Sequence, residues 1–367
     1  MIRRTVHKGE RFWDRTRQRF KRRVGLLGTP MLVPYRGLSG PDGVWVRGRV
    51  LEDQGVISAP HSESTLRNIW LTLWRYETDE VAGAVVKWRA LGQEGELVTN
   101  EEGYFDAVLP IAPDPDAAPW FMVEMELLSA PYHEVKPLSA ELYVRVVSPK
   151  ARFGIISDID DTIVETGATN FLKHWRTVVA NSAKSRTAFP GVSEFYRALA
   201  KGAAGRETNP IFYVSSSPWN LYDLFEKFLM FREIPAGPFL LKDFGLDKTK
   251  WLTGGHDGHK LEMIERIMDA YPDLSFIMIG DSGQRDAAIY AEAARRHEGR
   301  VLAVHIRDVT DGNLSDHASQ GFADLEGMGI PLTHAETLEK AAVHAVNSGL
   351  IEPEGLVEIR EAIATRA

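Results

Sequence analysis

The sequence predicts an α/β fold: a doubly wound parallel sheet preceded by a smaller antiparallel β-sandwich. Three observations carry this reading. Beyond residue 150, short apolar runs alternate with helix-length segments, as in a parallel sheet covered on both faces. Before it, apolar and polar residues alternate with period two, as in half-buried strands. Acidic residues gather directly behind the later apolar runs, where open parallel sheets bind ligands. The 367 residues divide into a basic arm or helix (1–40), a β-sandwich with an inserted helix (41–149) and an α/β domain with a C-terminal helix (150–367).

The arm comes first. Residues 1–24 hold ten Lys/Arg against Glu10 and Asp14, a balance of +8, so the rest of the chain carries -16 of the formal -8. A basic arm on an acidic body suits an anionic surface, whether lipid headgroups or nucleic acid. Trp13, Thr16, Phe20 and Val24 recur at helical spacing with arginines between them, as in a short interfacial helix. A solvated helix packing Trp13 and Phe20 on its own protein fits the same pattern.

In the sandwich region "VWVRGRV" and "ELYVRVV" alternate with period two, and "APWFMVEMELL" supplies a further strand. "ELVTNEEGYFDAVLP" reads as strand, acidic turn with Gly103, and strand, a hairpin pattern. It resembles the edge hairpin of small transthyretin-like sandwiches. Leu66, Ile69, Trp70, Leu73 and Trp74 follow helical spacing and predict a helix on the sheet. "SPKAR" at 148–152 marks the joint.

The strands expected after the joint are "FGII", "PIFYV", "PFLL", "LSFIMIG" and "RVLAVHI", with "PWNLYDLFEKFLMF" and "HKLEMIERIMDAY" among the helices between them. Leu338, Ala341, Ala342 and Ala345 predict a helix over 334–348 that packs on this domain.

Composition narrows the chemistry. No cysteine occurs, which excludes disulfides, thiolate zinc sites and cysteine nucleophiles and fits a reducing cytoplasm. No apolar run approaches the roughly 20 residues that span a bilayer, and the basic N-terminus lacks the apolar segment of a secretory signal. The expectation is a cytoplasmic protein with peripheral membrane contact through residues 1–24.

Three strand tips carry the chemistry. Asp158 and Asp160 follow "GII", with Thr162 beyond; Ser215, Ser216 and Ser217 follow "IFYV"; Asp281 and Asp286 lie in "GDSGQRD" after "FIMI". Lys260 opens the helix before that last strand. Carboxylates at adjacent strand tips repel strongly unless a cation lies between them. Oxygen ligands select a hard divalent ion, and Mg²⁺ leaves positions for water and phosphate. The expected metal residues are Asp158, Asp160, Asp281 and Asp286.

These ordered motifs, "DIDDT", Ser215, Lys260 and "GDSGQRD", resemble the haloacid dehalogenase superfamily over roughly 152–310, and the D-x-D-x-T form resembles its phosphatase branch. The likeness implies Asp158 as nucleophile forming an aspartyl-phosphate, and Asp160 as general acid and then base. Ser215 and Lys260 would hold the phosphoryl oxygens, with Mg²⁺ on Asp158, the Asp160 carbonyl and Asp281. Asp286 would orient the metal's water or Lys260. Whether Ser215 or Ser216 contacts phosphate is open, and Asp161 reads as a helix-start residue.

"SDIDDTIVETG", "FYVSSSPWNLYDLFEKFL", "FLLKDFG", "HK" and "IGDSGQRDAAIYAE" further resemble the phosphatidate phosphatases of the yeast actin-patch-protein type, and the sandwich resembles that of bacterial members. That likeness implies Mg²⁺-dependent release of phosphate from phosphatidate. Lys242 and Trp219 then stand as headgroup contacts, or equally as a strand-end lysine and a core tryptophan. No insert is large enough for a lid, so an open site with rims at 163–189 and 248–259 is expected, suited to a large substrate. His256 and His259 read as loop or phosphate contacts rather than metal ligands. Phosphoproteins or polynucleotide ends are the alternative substrates, with nucleic acid the less favoured partner. A non-catalytic membrane or protein adaptor is the alternative outside enzymes.

Overall fold

The computed structural model describes residues 28–53, 80–135, 138–160, 162–163, 189–201, 205–242 and 256–366. The basic arm to residue 24, the expected helix at 66–74, Asp161, residues 164–188 of the first expected rim and 248–255 of the second lie outside them. The fold is mixed α/β, with one largely antiparallel sheet and one parallel sheet. The chain forms two compact units. The first takes the described residues up to Tyr35, Trp45–Ile111 and Met122–Tyr143; the second takes Arg36–Val44, Ala112–Phe121 and everything from Val144 on.

The antiparallel strands are β1 (Thr29–Pro34), β3 (Gly43–Asp53), β4 (Val85–Ala90), β5 (Gln93–Val98), β6 (Tyr104–Leu109), β7 (Trp120–Ser129) and β8 (Leu138–Arg145), with β2 at Gly37–Gly40. β1 and β2 fall where the sequence predicts the basic arm. Pro30 and Pro34 hide β1, since proline withholds a ladder donor, and it is tolerated because β1 is an edge strand on β3. β4 and β5 form a hairpin on Leu91 and Gly92, both at positive φ (50° and 73°), the mirror-image turn that matches strand twist.

The structure does not form the hairpin expected across residues 96–110. Its turn exists, with Asn100 Oδ1 accepting from the amides of Glu102 and Tyr104 at 3.0 and 2.9 Å. The strands it joins pair elsewhere: β5 with β4, and β6 with β3. Thr99 fixes the first choice, its hydroxyl donating to the Val81 carbonyl at 2.7 Å and its amide to that of Ala84 at 2.9 Å. The arginines of "VWVRGRV", expected on a polar face, are buried. Their guanidinium groups stack on Tyr104 at 4.8 Å (Arg47) and 4.5 Å (Arg49), and pair with Asp106 and Glu80.

In the second unit the parallel sheet runs β11 (Phe239–Lys242), β10 (Ile211–Pro218), β9 (Gly154–Asp158), β12 (Phe276–Asp281), β13 (Val301–Arg307) and β14 (Leu332–Ala335). The helices are α1 (Val192–Ala200), α2 (Tyr222–Phe231), α3 (His256–Ala270), α4 (Asp286–Arg296), α5 (Asp316–Gly327), α6 (Glu339–Asn347) and α7 (Pro353–Arg366). α3, α4 and α5 pack in series; α1, α6 and α7 form a separate layer. The five expected strands and the helix with buried Leu338, Ala341, Ala342 and Ala345 are present. β14 and α7 are additions the apolar pattern does not mark.

Residues ahead of the expected joint also belong to this unit. Trp120 Nε1 donates to Glu207 at 3.0 Å, and the ring lies under Arg36 and Arg145 at 5.0 and 5.4 Å. The Arg36 amide donates to Tyr222 Oη at 2.8 Å.

β9 starts the sheet in its middle. The chain winds outward through β10 and β11, returns to β12 on the other side of β9, and continues outward to β14. Strand order therefore reverses between β9 and β12, the place where open sheets of this kind bind ligands at the carboxyl ends.

Candidate active site

Three neighbouring strand tips supply the site because register aligns them. Val214 pairs with Asp158, and Ile279 with Ser157, so Ser215 and Asp281 end level with the β9 tip. Beneath them the strands are fully covered and largely apolar, with Ser157 of β9 a buried polar exception.

Asp158 is completely buried. Its Oδ1 lies 2.7 Å from Lys260 Nζ, and its Oδ2 accepts from Thr162 Oγ1 and Gln284 Nε2, each at 3.3 Å. Burial foremost, then Asp286, Asp281 and Asp160, push its pKa well up, against the pull of Lys260. Beneath it Ser157 Oγ donates to the Asp158 carbonyl at 2.6 Å. That uses its only proton, so Tyr196 Oη, also at 2.6 Å, donates to Ser157.

Lys260 reaches the site because it lies on the buried stripe of α3 with Ile264, Ile267 and Met268. Besides Asp158 it bonds Asp286 Oδ1. Burial opposes its charge, but the two carboxylates outweigh that and raise its pKa. Asp286 opens α4, and its Oδ2 accepts the Asp281 amide at 3.1 Å. Both its oxygens are therefore engaged in holding Lys260 and the β12 tip. Gly280 makes room for this, since a Cβ there would meet Asp286 Cβ at 2.8 Å.

Asp160 turns its side chain toward β10. Its Oδ2 accepts from Ser215 Oγ at 2.5 Å and Ser217 Oγ at 3.0 Å. Its backbone carbonyl faces the crevice, where Gln284 Nε2 donates to it at 3.3 Å. Asp281 Oδ1 accepts the amides of Gly283 and Gln284 at 2.7 and 2.9 Å, and its Oδ2 accepts from Gln284 Nε2 at 3.0 Å.

Carboxylate oxygens of Asp158, Asp281 and Asp286 all lie within 4.8 Å of one another, buried, with one ammonium among them. A buried all-oxygen set with an excess of negative charge fits a hard divalent cation. Asp158, Asp281 and the Asp160 carbonyl present oxygens to a common point, whereas Asp286 is occupied by Lys260.

The other expected residues lie around this cluster. Ser216 is half-buried beside the covered Ser215. Lys242 ends β11 opposite Pro218, largely covered, and burial lowers its pKa. Trp219 is 4% exposed and stacks on Tyr222 at 6.2 Å, which places its ring in the core. His259 is half-buried on α3, and no histidine joins the acidic cluster among the described residues. Gln284, Ser157 and Tyr196 are site residues that sequence reasoning passes over, and Ser217, though named at its strand tip, is given no role there. Ser217 had a signal, since side chains two apart on a strand share a face.

Residues 153–308 match a family described as the catalytic domain of the phosphatidate phosphatase APP1. Phosphatidate phosphatase APP1 of Saccharomyces cerevisiae is 31% identical over 172 residues, which is 47% of this chain and 28% of that protein. An uncharacterized protein of Schizosaccharomyces pombe is 28% identical over 219 residues, 59% of this chain and 35% of that one. The chain thus spans about a third of the length of these relatives. A solved carbohydrate acetylesterase from Xanthomonas citri aligns with 80% of this chain at 11% identity and a TM-score of 0.25, too low to bear on the fold. Over residues 153–308 this chain is thus similar to the catalytic domain of the phosphatidate phosphatase APP1.

Proposed function

We propose that the chain is a Mg²⁺-dependent phosphomonoester hydrolase that works through an aspartyl-phosphate, on phosphatidate or a similar lipid phosphate. The observation that carries this is the convergence of Asp158, the Asp160 carbonyl, Asp281 and Lys260 at one strand-tip crevice. The parallel sheet is then of haloacid dehalogenase type, and the antiparallel sheet the smaller sandwich before it.

Asp158, the Asp160 carbonyl and Asp281 would hold the metal. When bound, Mg²⁺ supplies charge neutralisation between an anionic nucleophile and an anionic phosphate. An Asp158 carboxylate oxygen attacks phosphorus, and the bond from phosphorus to the leaving oxygen breaks. Asp160 gives that oxygen its proton, then takes one from the water that attacks the aspartyl-phosphate, which releases inorganic phosphate and restores Asp158. Ser215 and Ser217 fix the Asp160 carboxylate for this exchange. Lys260, charged and held by Asp286, compensates negative charge growing on the phosphoryl oxygens. Lys242 and Ser216 would serve as substrate contacts, with Thr162 covered behind Asp158 and bonded to it.

The lipid reading rests on the family and on the +8 arm, which gives an anionic surface something to hold. Among the described residues no helix is long and apolar enough to cross a membrane. Phosphate release should be measured on phosphatidate vesicles, phosphopeptides, 5′-phosphorylated oligonucleotides and sugar phosphates, with EDTA and then excess Mg²⁺. The reading expects release from phosphatidate, lost with EDTA, restored by Mg²⁺ and abolished by Asp158→Asn. Preference for a phosphopeptide or oligonucleotide would remove the lipid assignment, and full activity in Asp158→Asn the mechanism.

A further inference from the structure

Gln284 stands on the turn between β12 and α4, part-buried between the exposed Gly283 and Arg285. Its Nε2 donates to Asp158 Oδ2, the Asp160 carbonyl and Asp281 Oδ2 at 3.3, 3.3 and 3.0 Å. All three partners accept only, which fixes the amide with its nitrogen inward. These are the three oxygens assigned above to the metal. Resting on that assignment, we infer that Gln284 is a displaceable placeholder: its amide occupies the cation's position in the metal-free protein and must withdraw for Mg²⁺ to bind.

Three physical points carry this. The amide and a cation compete for the same lone pairs, and an amide nitrogen has no lone pair to offer a metal, so the nitrogen-inward amide and the cation cannot both be accommodated. The amide brings two protons to three acceptors, and two of its contacts are long against the usual 2.9–3.0 Å. A Mg²⁺ ion would hold each oxygen at about 2.0–2.1 Å, roughly 1 Å closer than the amide does. The placeholder thus satisfies the oxygens, leaves their charge uncancelled, and is held weakly enough to go. It keeps three ligands from separate strands gathered at one point, and it weakens Mg²⁺ affinity by the hydrogen bonds that binding must break.

Calorimetric titration of Mg²⁺ into metal-stripped wild type, Gln284→Ala and Gln284→Met tests this, with thermal unfolding in EDTA as a second readout. Gln284→Met keeps the bulk and removes the donor, so it serves if Gln284→Ala does not fold without metal. Both variants should bind Mg²⁺ about 10-fold more tightly, the equivalent of one or two modest hydrogen bonds no longer broken on binding. Both should also unfold at lower temperature than wild type in EDTA. Unchanged or weaker binding in the variants, with wild type binding normally, overturns the placeholder and leaves the metal reading standing. Absence of binding by wild type overturns both.

Discussion

Lys260 Nζ lies 2.7 Å from Asp158 Oδ1, and neither side chain reaches solvent. Lys260 also holds Asp286, so one ammonium is set against the carboxylates of Asp158, Asp281 and Asp286. The pair is the electrostatic support of the site rather than an added gain in stability, because desolvation offsets most of the attraction.

Removing the cation exposes that balance. Lys260→Met should destabilise the metal-free protein by about 3–5 kcal/mol, the usual result of leaving a buried charge unpaired. Urea unfolding in EDTA measures it. Turnover should fall as well, and Mg²⁺ should recover part of the stability.

The acid–base step has its own variants. Asp160→Asn should slow phosphate release by about 10²-fold, the loss expected for a general acid. A Ser215→Ala, Ser217→Ala double variant leaves the carboxylate in place but frees its orientation, and should lower kcat with less effect on stability. Steady-state kinetics with Mg²⁺ in excess separates the two; equal activity in the double variant and wild type would show that the hydroxyls have no such role.

Gly280→Ala should drive Asp286 away from Lys260 and the Asp281 amide, costing about 1–3 kcal/mol as an overpacked site does, with a drop in kcat. Gly327→Ala is the control. Nothing lies within 4 Å of a Cβ there, so it should be close to neutral. Denaturant midpoints for the two variants make the comparison.

The acid limb of stability should depend on His305. It is fully buried, its Nδ1 is 2.8 Å from Thr333 Oγ1, and its ring packs on Phe195 and His344. Burial foremost, then His344, lower its pKa from 6.5 to about 3. The unfolded chain therefore takes a proton below about pH 6.5 that the folded protein refuses until about pH 3. This contribution is fully present above pH 6.5 and is lost as pH falls through that window, by about 5 kcal/mol at most. His305→Phe should flatten the decline between pH 6.5 and 4 in urea titrations.

Much of the site was legible because its residues follow apolar runs. "GII", "IFYV" and "FIMI" mark buried strands, and the polar residue that ends each must be at a strand tip. That reasoning places Asp158, Ser215 and Asp281 without any knowledge of register. It does not reach Gln284, whose position comes from the fold of one turn and has no periodic signature. It also misses β14, whose "LTHA" is half-exposed along its length. A change of period near residue 150 is visible in the sequence. The attachment of Trp120 and Arg36 to the α/β unit is not, since single aromatics and arginines inside strand patterns read as part of their own sheet. Strand partners failed for a related reason: the turn after Val98 is written in local residues, whereas the choice of β4 or β3 as neighbour depends on Thr99 and on residues far away in sequence.

The central place of β9 has a consequence for synthesis. Its first neighbour, β10, is complete by residue 218, but its second, β12, is not made until 276–281. While the chain is being translated, one edge of this buried strand has no partner on that side for some sixty residues of growth after β10 is made. An unpaired apolar edge is a template for association with other chains. A ribosome that stalls or terminates within this interval releases a product with the nucleophile strand half-sheathed. Chaperone demand for this protein should therefore concentrate in that interval of translation and end once β12 closes the edge.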